Sequence, residues 1–339
     1  MLGMASFAMA EDYELALITD VGTIDDKSFN QGAWEGLVQY AEENGISHKY
    51  YQPAEQANDA YLDGIELAVE GGAKLIVTPG YLFEEPIYVA QEMYPDVKFV
   101  LVDGNPHDAD YKYNTADNTV GIVYAEEQSG FLAGYAAVKE GFTKLGFMGG
   151  MAVPAVIRFG HGFVQGADYA AKEMGIDAIT VNYHYTGGFA ATPEAQTLAA
   201  TWYNDGVEAI FACGGAVGNS VMAAAEAAEG KWVIGVDVDQ SGESETVITS
   251  ATKGLAASVY QAIEAYYADA FPGGEAWVLG ADKDGVSLPM ETSRFTTFTQ
   301  ADYDAIYAKL VAGEIELVKD EVADAAAIET EVTAVTLIN

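Results

Sequence analysis

One stretch near the start of the chain has the composition of a binding loop. Asp20-Val21-Gly22-Thr23-Ile24-Asp25-Asp26-Lys27-Ser28-Phe29-Asn30-Gln31 mixes carboxylates, hydroxyls, amides and an aromatic ring. It follows an apolar run from Leu15 and precedes Trp34, Leu37, Val38 and Ala41, which fall at helical spacing after Asn30. The end of the stretch therefore forms a helix N-terminus, where backbone N–H groups lack intrahelical partners. Capping by Asp25, Asp26 or Ser28 explains one or two of these residues. It does not explain Phe29 followed by Asn30 and Gln31, and these are expected to touch a ligand.

In open α/β sheets ligands sit outside the carboxyl ends of the strands, so the residues after each apolar run matter most. They read Thr78-Pro79-Gly80-Tyr81, Val102-Asp103-Gly104-Asn105, Gly149-Gly150, Thr186-Gly187-Gly188-Phe189, Cys213-Gly214-Gly215 and Val236-Asp237-Val238-Asp239-Gln240. Glycine at such places lets a ligand approach the backbone closely. Asp103 and Asp237 occupy equivalent strand ends. A carboxylate there suits a vicinal diol, accepting from two hydroxyls at once; the ordinary alternative is a turn aspartate.

The elements that position these groups follow from the apolar pattern. Runs at Leu15–Asp20, Lys49–Tyr51, Leu75–Thr78, Lys98–Val102 and Val120–Tyr124 alternate with helical stretches. The pattern starts again at Leu145–Met148 and continues through Thr180–Tyr185, Ala209–Ala212, Val233–Val236 and Val247–Ser250. Helices are expected between them at Gly162–Met174, Pro193–Asn204 and Gly218–Ala228. Strands this apolar are covered on both faces, so the fold class is α/β with two doubly wound parallel sheets in tandem. After Lys253 the order changes. Leu255–Phe271 reads as a helix, Trp277–Leu288 as two short strands around an Asp282-Lys283-Asp284-Gly285 hairpin turn, and Ala301–Leu310 as another helix. The acidic, alanine-rich tail from Val318 is expected to be loosely held, with Val332–Ile338 either pairing as a strand or hanging free.

Composition sets outer limits. The chain has 339 residues, 50% hydrophobic and 12% aromatic, enough for two real cores. Fifteen Lys and Arg against 52 Asp and Glu give a net charge of −37. Such a surface repels phosphate backbones, so no nucleic-acid partner is expected. A single cysteine, Cys213, excludes an internal disulfide and reads as a small buried residue. His48, His107, His161 and His184 lack ligand spacing, so no metal site is expected. The phosphate-binding loop and the G-x-S-x-G elbow are missing, and Gly160-His161-Gly162 with Gly166 misses the dinucleotide pattern by one residue. Met1–Ala10 is uncharged and apolar, ends Ala8-Met9-Ala10, and reads as the end of a secretory signal peptide. Export is therefore expected, and no cysteine stands near Ala10 to take a lipid anchor.

Taken together, these motifs resemble the basic membrane protein family, the substrate-binding proteins of ABC importers that include purine nucleoside receptors. The resemblance rests on Asp20–Gln31 with Trp34-Glu35-Gly36, on Ser129-Gly130-Phe131-Leu132-Ala133-Gly134, and on Arg158-Phe159 with Gly162-Phe163 and Gly166. It continues in Gly235-Val236-Asp237-Val238-Asp239-Gln240 and in Thr249-Ser250 with Lys253. It covers Glu14 to Leu317; Thr23 departs from it, standing where many members have glycine.

The resemblance implies a two-lobed periplasmic-binding-protein architecture with three crossovers, near Tyr124, Lys253 and Pro289. Lobe 1 would comprise 11–124 and 254–289, and lobe 2 125–253 and 290–339. It implies a purine nucleoside held in the cleft between lobes, with its base between Phe29 and Phe189. Ribose hydroxyls would go to Asp237 and Lys253, and the base edge to Asn30 and Asp103. Asp20 and Gly214 would line the cleft, and Asp26 completes the expected ligand-binding set. It implies no catalysis and no cofactor, a monomer, and an ABC permease as partner. The alternatives at this stage are a sugar- or autoinducer-binding protein of the same architecture and, less favoured, a nucleoside hydrolase.

Overall fold

The computed structural model describes residues 13–322 and 324–338. The Met1–Ala10 segment read as a signal-peptide end lies outside them. In chain order the elements are β1 (Leu15–Ile18), α1 (Phe29–Asn44), β2 (His48–Tyr51), α2 (Asn58–Glu70), β3 (Leu75–Pro79), α3 (Glu84–Met93), β4 (Lys98–Val102) and β5 (Thr119–Tyr124). There follow α4 (Glu126–Glu140), β6 (Lys144–Gly149), α5 (Pro154–Met174), β7 (Ile179–Tyr185), α6 (Pro193–Asn204), β8 (Ala209–Cys213), α7 (Val217–Glu226), β9 (Trp232–Asp237) and β10 (Val247–Lys253). The chain ends with α8 (Leu255–Tyr267), β11 (Ala276–Leu279), β12 (Val286–Ser287), α9 (Gln300–Val311) and β13 (Thr333–Leu337).

Two compact units emerge. Among the described residues, unit 1 holds 13–21, Ala33–Ile122 and Val259–Trp277; unit 2 holds Gly22–Gly32, Val123–Ser258 and the residues from Val278 on. The first sheet has the order β11-β5-β4-β3-β1-β2 and the second β12-β10-β9-β8-β6-β7-β13. The inner order 5-4-3-1-2 of the first recurs as 10-9-8-6-7 in the second. Pairing within each of these runs is parallel. The expected doubly wound α/β architecture is present twice, with strands β1, β3 and β8 buried along their whole length.

In unit 1 the core lies where Tyr61, Ile65, Phe83 and Ile87 of the helical layer meet Ile18, Ile76 and Phe99 of the sheet. In unit 2 the helices α4 and α5 cross at backbone contact. A Cβ on Gly130 or Gly134 would strike the carbonyl oxygens of Phe159 or Phe163, and one on Gly162 or Gly166 those of Glu127 or Phe131. Helix α5 begins at Pro154, well before the Gly162 read from periodicity, because proline at the first helical turn is preorganised and loses no hydrogen bond there.

Three features differ from the sequence reading. The Trp277–Leu288 hairpin does not form. Gly285 N–H does bond Gly280 O at 2.9 Å, closing the turn. Yet β11 joins the first sheet while β12 pairs antiparallel with β10 in the second. Local turn chemistry is right, but the two strands are claimed by different sheets. The chain therefore passes to unit 2 after Trp277, ahead of Pro289, and the segment Gly22–Gly32, which runs into the first turn of α1, belongs to unit 2 although the rest of that helix belongs to unit 1.

The tail is also not loose where described. One face of α5 holds it. Arg158 reaches Asp320 at 2.9 Å, His161 meets the carbonyl of Lys319, and Gln165 exchanges two bonds with Val318 at 2.8 and 2.9 Å. Asp168 Oδ1 accepts from the N–H groups of Glu331, Val332 and Thr333 at 2.9–3.1 Å. Strand β13 then pairs in parallel with β7 along its full length. Anchors on a distant helix are invisible to a local reading.

Candidate functional site

Each sheet reverses strand order at one point, between β1 and β3 in unit 1 and between β6 and β8 in unit 2. Crevices at such points bind ligands in open α/β sheets. In unit 1 the position is marked by Asp20 and Gly80. Gly80 has φ +112°, and a Cβ there would stand 3.1 Å from Asp20 Oδ2, so only glycine fits beside the carboxylate. Asp20 is half-buried. One strand further on, Asp103 ends β4 with φ +60° and is likewise half-buried, in the left-handed region that Asp tolerates better than most residues. Next to it, Glu84 accepts from the Asn105 N–H at 2.9 Å.

In unit 2 the reversal brings together two glycine pairs. Gly150 N–H donates to Cys213 O at 2.9 Å, and a Cβ on Gly214 would come within 2.6 Å of Gly150 N. Cys213 is buried, as its surroundings in the sequence suggest. The β7 end folds back on this point: Thr186 and Gly187 donate to Gly149 O and Gly150 O at 2.9 and 3.1 Å. Phe189, half-buried, lies directly against Gly150, where any Cβ would displace its ring.

The densest polar arrangement is at the ends of β9 and β10. Asp237 has φ +67°, and Val238 N–H bonds Val236 O across it at 2.7 Å, a γ-turn with the aspartate at its apex. The turn holds the aspartate in strained left-handed backbone, and its exposure is only 6%. Lys253 Nζ stands 3.3 Å from Asp237 Oδ1, and Ser28 Oγ donates to Oδ2 at 2.5 Å. The Lys253 ammonium also lies over three rings, Phe29 at 4.6 Å and Tyr124 and Phe159 at 5.5 Å each. A buried cation is tolerable here because carboxylate and ring faces replace its water.

The loop Gly22–Gly32 is tied to this place at several points. Gln240 Nε2 donates to Lys27 O at 2.6 Å, while its Oε1 accepts from Val236 N–H at 3.1 Å and its own N–H donates to Ser250 Oγ at 3.0 Å. Lys27 Nζ reaches Glu243 at 3.7 Å. Inside the loop, Asp26 caps α1. Its Oδ1 accepts from the N–H groups of Ser28 and Gln31, and its Oδ2 from the N–H and side-chain amide of Asn30, all at 2.9–3.1 Å. Burial outweighs these bonds and holds the Asp26 carboxyl above its ordinary range. Four donors fill four acceptor positions. Asp26, expected among the ligand contacts, thus accepts four hydrogen bonds from its own loop. Asn30 is buried behind it.

The structure thus brings Phe29, Asn30, Asp237 and Lys253 into one cluster, Phe189 and Gly214 into a second within the same unit, and Asp20 and Asp103 to matching strand ends of unit 1. Ser28, Gln240, Tyr124 and Phe159 are not among the ligand-binding residues expected from sequence. Three of them stand inside motifs that were singled out, and their apolar or polar neutrality hid their part. Among the described residues no cluster of His, Cys, Asp and Glu suits a metal ion, and no helix is long and apolar enough to cross a membrane.

Two α/β units of matching strand order, with polar strand ends and a buried ion pair beside an aromatic face, define a solute-binding protein of the periplasmic-binding-protein architecture. The chain belongs to the family described as ABC transporter substrate-binding protein PnrA-like, which matches residues 13–321. It is 31% identical over 304 residues to the ABC transporter nucleoside-binding protein BmpA of Lactococcus lactis, covering 83% of each chain. It is 31% identical to Basic membrane protein A of Borreliella burgdorferi, covering 89% of this chain and 86% of that one. An ABC transporter solute-binding protein from Aeropyrum pernix K1 superposes with a TM-score of 0.78 at 25% identity, covering 92% of this chain and 95% of its own. The basic membrane protein resemblance read from Asp20–Gln31 and the later motifs is therefore correct, and the protein is a binding protein, not an enzyme.

Proposed function

We propose that the protein captures a purine nucleoside outside the cytoplasm and passes it to an ABC permease. The observation that carries this reading is the Asp237–Lys253 pair, buried beside the Phe29 ring at a strand end. A carboxylate there can accept from two ribose hydroxyls, an ammonium can donate to one, and an aromatic face can stack on a base. The Lactococcus relative is a nucleoside-binding protein by name, which supports the same ligand class. Phe189 is the second stacking ring in this reading, Asn30 addresses the base edge, and Gly214 lines the site. Stacking contributes about 1–3 kcal/mol per base, and hydrogen bonds to charged groups about 1.5–3 kcal/mol each. Sub-micromolar binding needs about −8 kcal/mol, within reach of that set.

Calorimetry against inosine, guanosine, adenosine, uridine and free ribose tests the reading, together with mass spectrometry of small molecules released on denaturing the purified protein. Purine nucleosides should bind at least tenfold more tightly than uridine, about 1.4 kcal/mol. Tight binding of a free sugar with no nucleoside binding would replace this reading with a sugar receptor.

A further inference from the structure

We infer that Ser28 is a positioning residue for Asp237, setting which acceptor positions of that carboxylate remain open to a vicinal diol; this rests on the nucleoside reading above. A carboxylate has about four acceptor positions, two on each oxygen. Ser28 Oγ fills one on Oδ2 at 2.5 Å, and Lys253 Nζ faces Oδ1 at 3.3 Å. One position is left on each oxygen, the pattern that two adjacent hydroxyl donors require. Without the Ser28 hydroxyl the bond on Oδ2 that sets the plane of the carboxylate about its last bond is lost, and the open positions no longer point in fixed directions.

The serine is spared other duties. Its side chain is fully buried, so no water competes for the hydroxyl. The loop around it is held independently, by Ser28 N–H on Asp26 Oδ1 at 2.9 Å and by Gln240 Nε2 on Lys27 O at 2.6 Å. The Asp237 backbone is fixed by its own γ-turn. What Ser28 adds is the orientation of one carboxylate. Its effect should therefore fall on diol recognition and leave base recognition alone.

The test measures affinities of the wild type, Ser28→Ala and Ser28→Cys for guanosine and 2′-deoxyguanosine by calorimetry, with melting temperatures alongside. The wild type should prefer the riboside. Ser28→Ala should weaken guanosine binding about tenfold or more, the size of a lost charge-assisted bond. It should change 2′-deoxyguanosine binding by about threefold or less, so the preference for the riboside shrinks, with an intermediate ratio for Ser28→Cys and its weak S–H donor. If Ser28→Ala folds poorly, Ser28→Cys carries the comparison. An unchanged riboside preference in the folded variants overturns the proposal, as does an equal loss for both ligands, which marks a loop-holding role. In both cases wild-type binding of guanosine shows that the nucleoside reading itself survives; a wild type that binds neither ligand overturns both.

Discussion

Asp103 and Asp237 stand at the ends of corresponding strands, β4 in unit 1 and β9 in unit 2, and both hold left-handed backbone at φ +60° and +67°. The two surroundings differ. Asp237 is 6% exposed, with a lysine on one oxygen and a serine hydroxyl on the other. Asp103 stays half-buried, in a neighbourhood where Glu84 adds a second carboxylate beside Asn105. Removing a carboxylate from water is costly unless charge and hydrogen bonds replace the solvent. The backbone geometry that presents an aspartate is thus repeated in both units, and in unit 2 a cation and a hydroxyl replace the solvent around it.

The largest expected effect breaks that arrangement in unit 2. Lys253→Met leaves Asp237 buried without its cation, and loss of one member of a buried pair costs about 3–5 kcal/mol. Asp103→Asn keeps the tolerance for left-handed backbone and should cost about 1 kcal/mol or less. Urea unfolding of both variants checks this. Equal small losses would show that the Asp237–Lys253 pair is well solvated and that the contrast between the strand ends is illusory.

A second contrast concerns helix packing. Gly162 of α5 meets the Glu127 carbonyl of α4 backbone to backbone, whereas a Cβ on Gly64 of α2 would meet only the Ile18 side chain, at 3.3 Å. Gly162→Ala must push two helices apart and should cost about 1–3 kcal/mol or more. Gly64→Ala gains about 1 kcal/mol in helix propensity against crowding of the stiff, buried Ile18 methyl by a few tenths of an ångström, so its net change should be near zero. A thermal melt in which both alanines behave alike would deny the close crossing in unit 2.

Much of this arrangement is legible in the residues. Apolar runs such as Leu75–Thr78 and Ala209–Ala212 are strands buried on both faces, and their twofold alternation with helices fixes the class. Phe29, Asp237 and Lys253, more than 200 residues apart at the extremes, were grouped through family resemblance, since nothing local links them. What escaped was non-local partnership. The Asp282–Gly285 turn is sound by its composition, but pairing is decided by which sheet edge each flanking strand meets. The acidic tail reads as loose because its anchors Arg158, His161, Gln165 and Asp168 lie on a helix far upstream. The capping bonds of Asp26 escape for a local reason: a capping carboxylate and a binding carboxylate look alike in sequence until their donors are known.

Phe29 tests the aromatic half of the candidate site. One face of its ring is covered by the Lys253 ammonium at 4.6 Å, and the residue remains half-buried. Phe29→Ala should weaken nucleoside binding by about 1–3 kcal/mol, with a smaller loss of stability than the roughly 3–5 kcal/mol of a core phenylalanine. Calorimetry and melting on the same preparation separate the two. A variant that melts far lower yet binds normally when cold would assign Phe29 to packing.

The smallest effect sharpens the charge side of the comparison away from the candidate site. Glu127, at the start of α4 in unit 2, is 3% exposed, its Oε2 has no hydrogen-bond partner, and Lys319, half in solvent, approaches Oε1 at 3.5 Å. Burial raises its carboxyl above the ordinary glutamate range, and the nearby Glu126 adds to the rise, while its own backbone N–H, Lys319 and Arg158 offset it in part. A carboxyl whose folded pKa exceeds its unfolded one contributes stability that is full below the unfolded value and is lost as pH rises through the folded value. Ionisation at neutral pH therefore works against the fold here, and an exposed lysine 3.5 Å away returns less than about 1 kcal/mol. Glu127→Gln cannot ionise, keeps the shape, and should melt slightly above the wild type at pH 7 to 8, the gap closing as pH falls through the carboxylate range. Melting curves between pH 4 and 8 decide it. A glutamine variant that melts lower at pH 7, by a margin that shrinks in high salt, would mean that Lys319 and Arg158 outweigh burial, and that unit 2 manages this carboxylate by pairing, as it does Asp237.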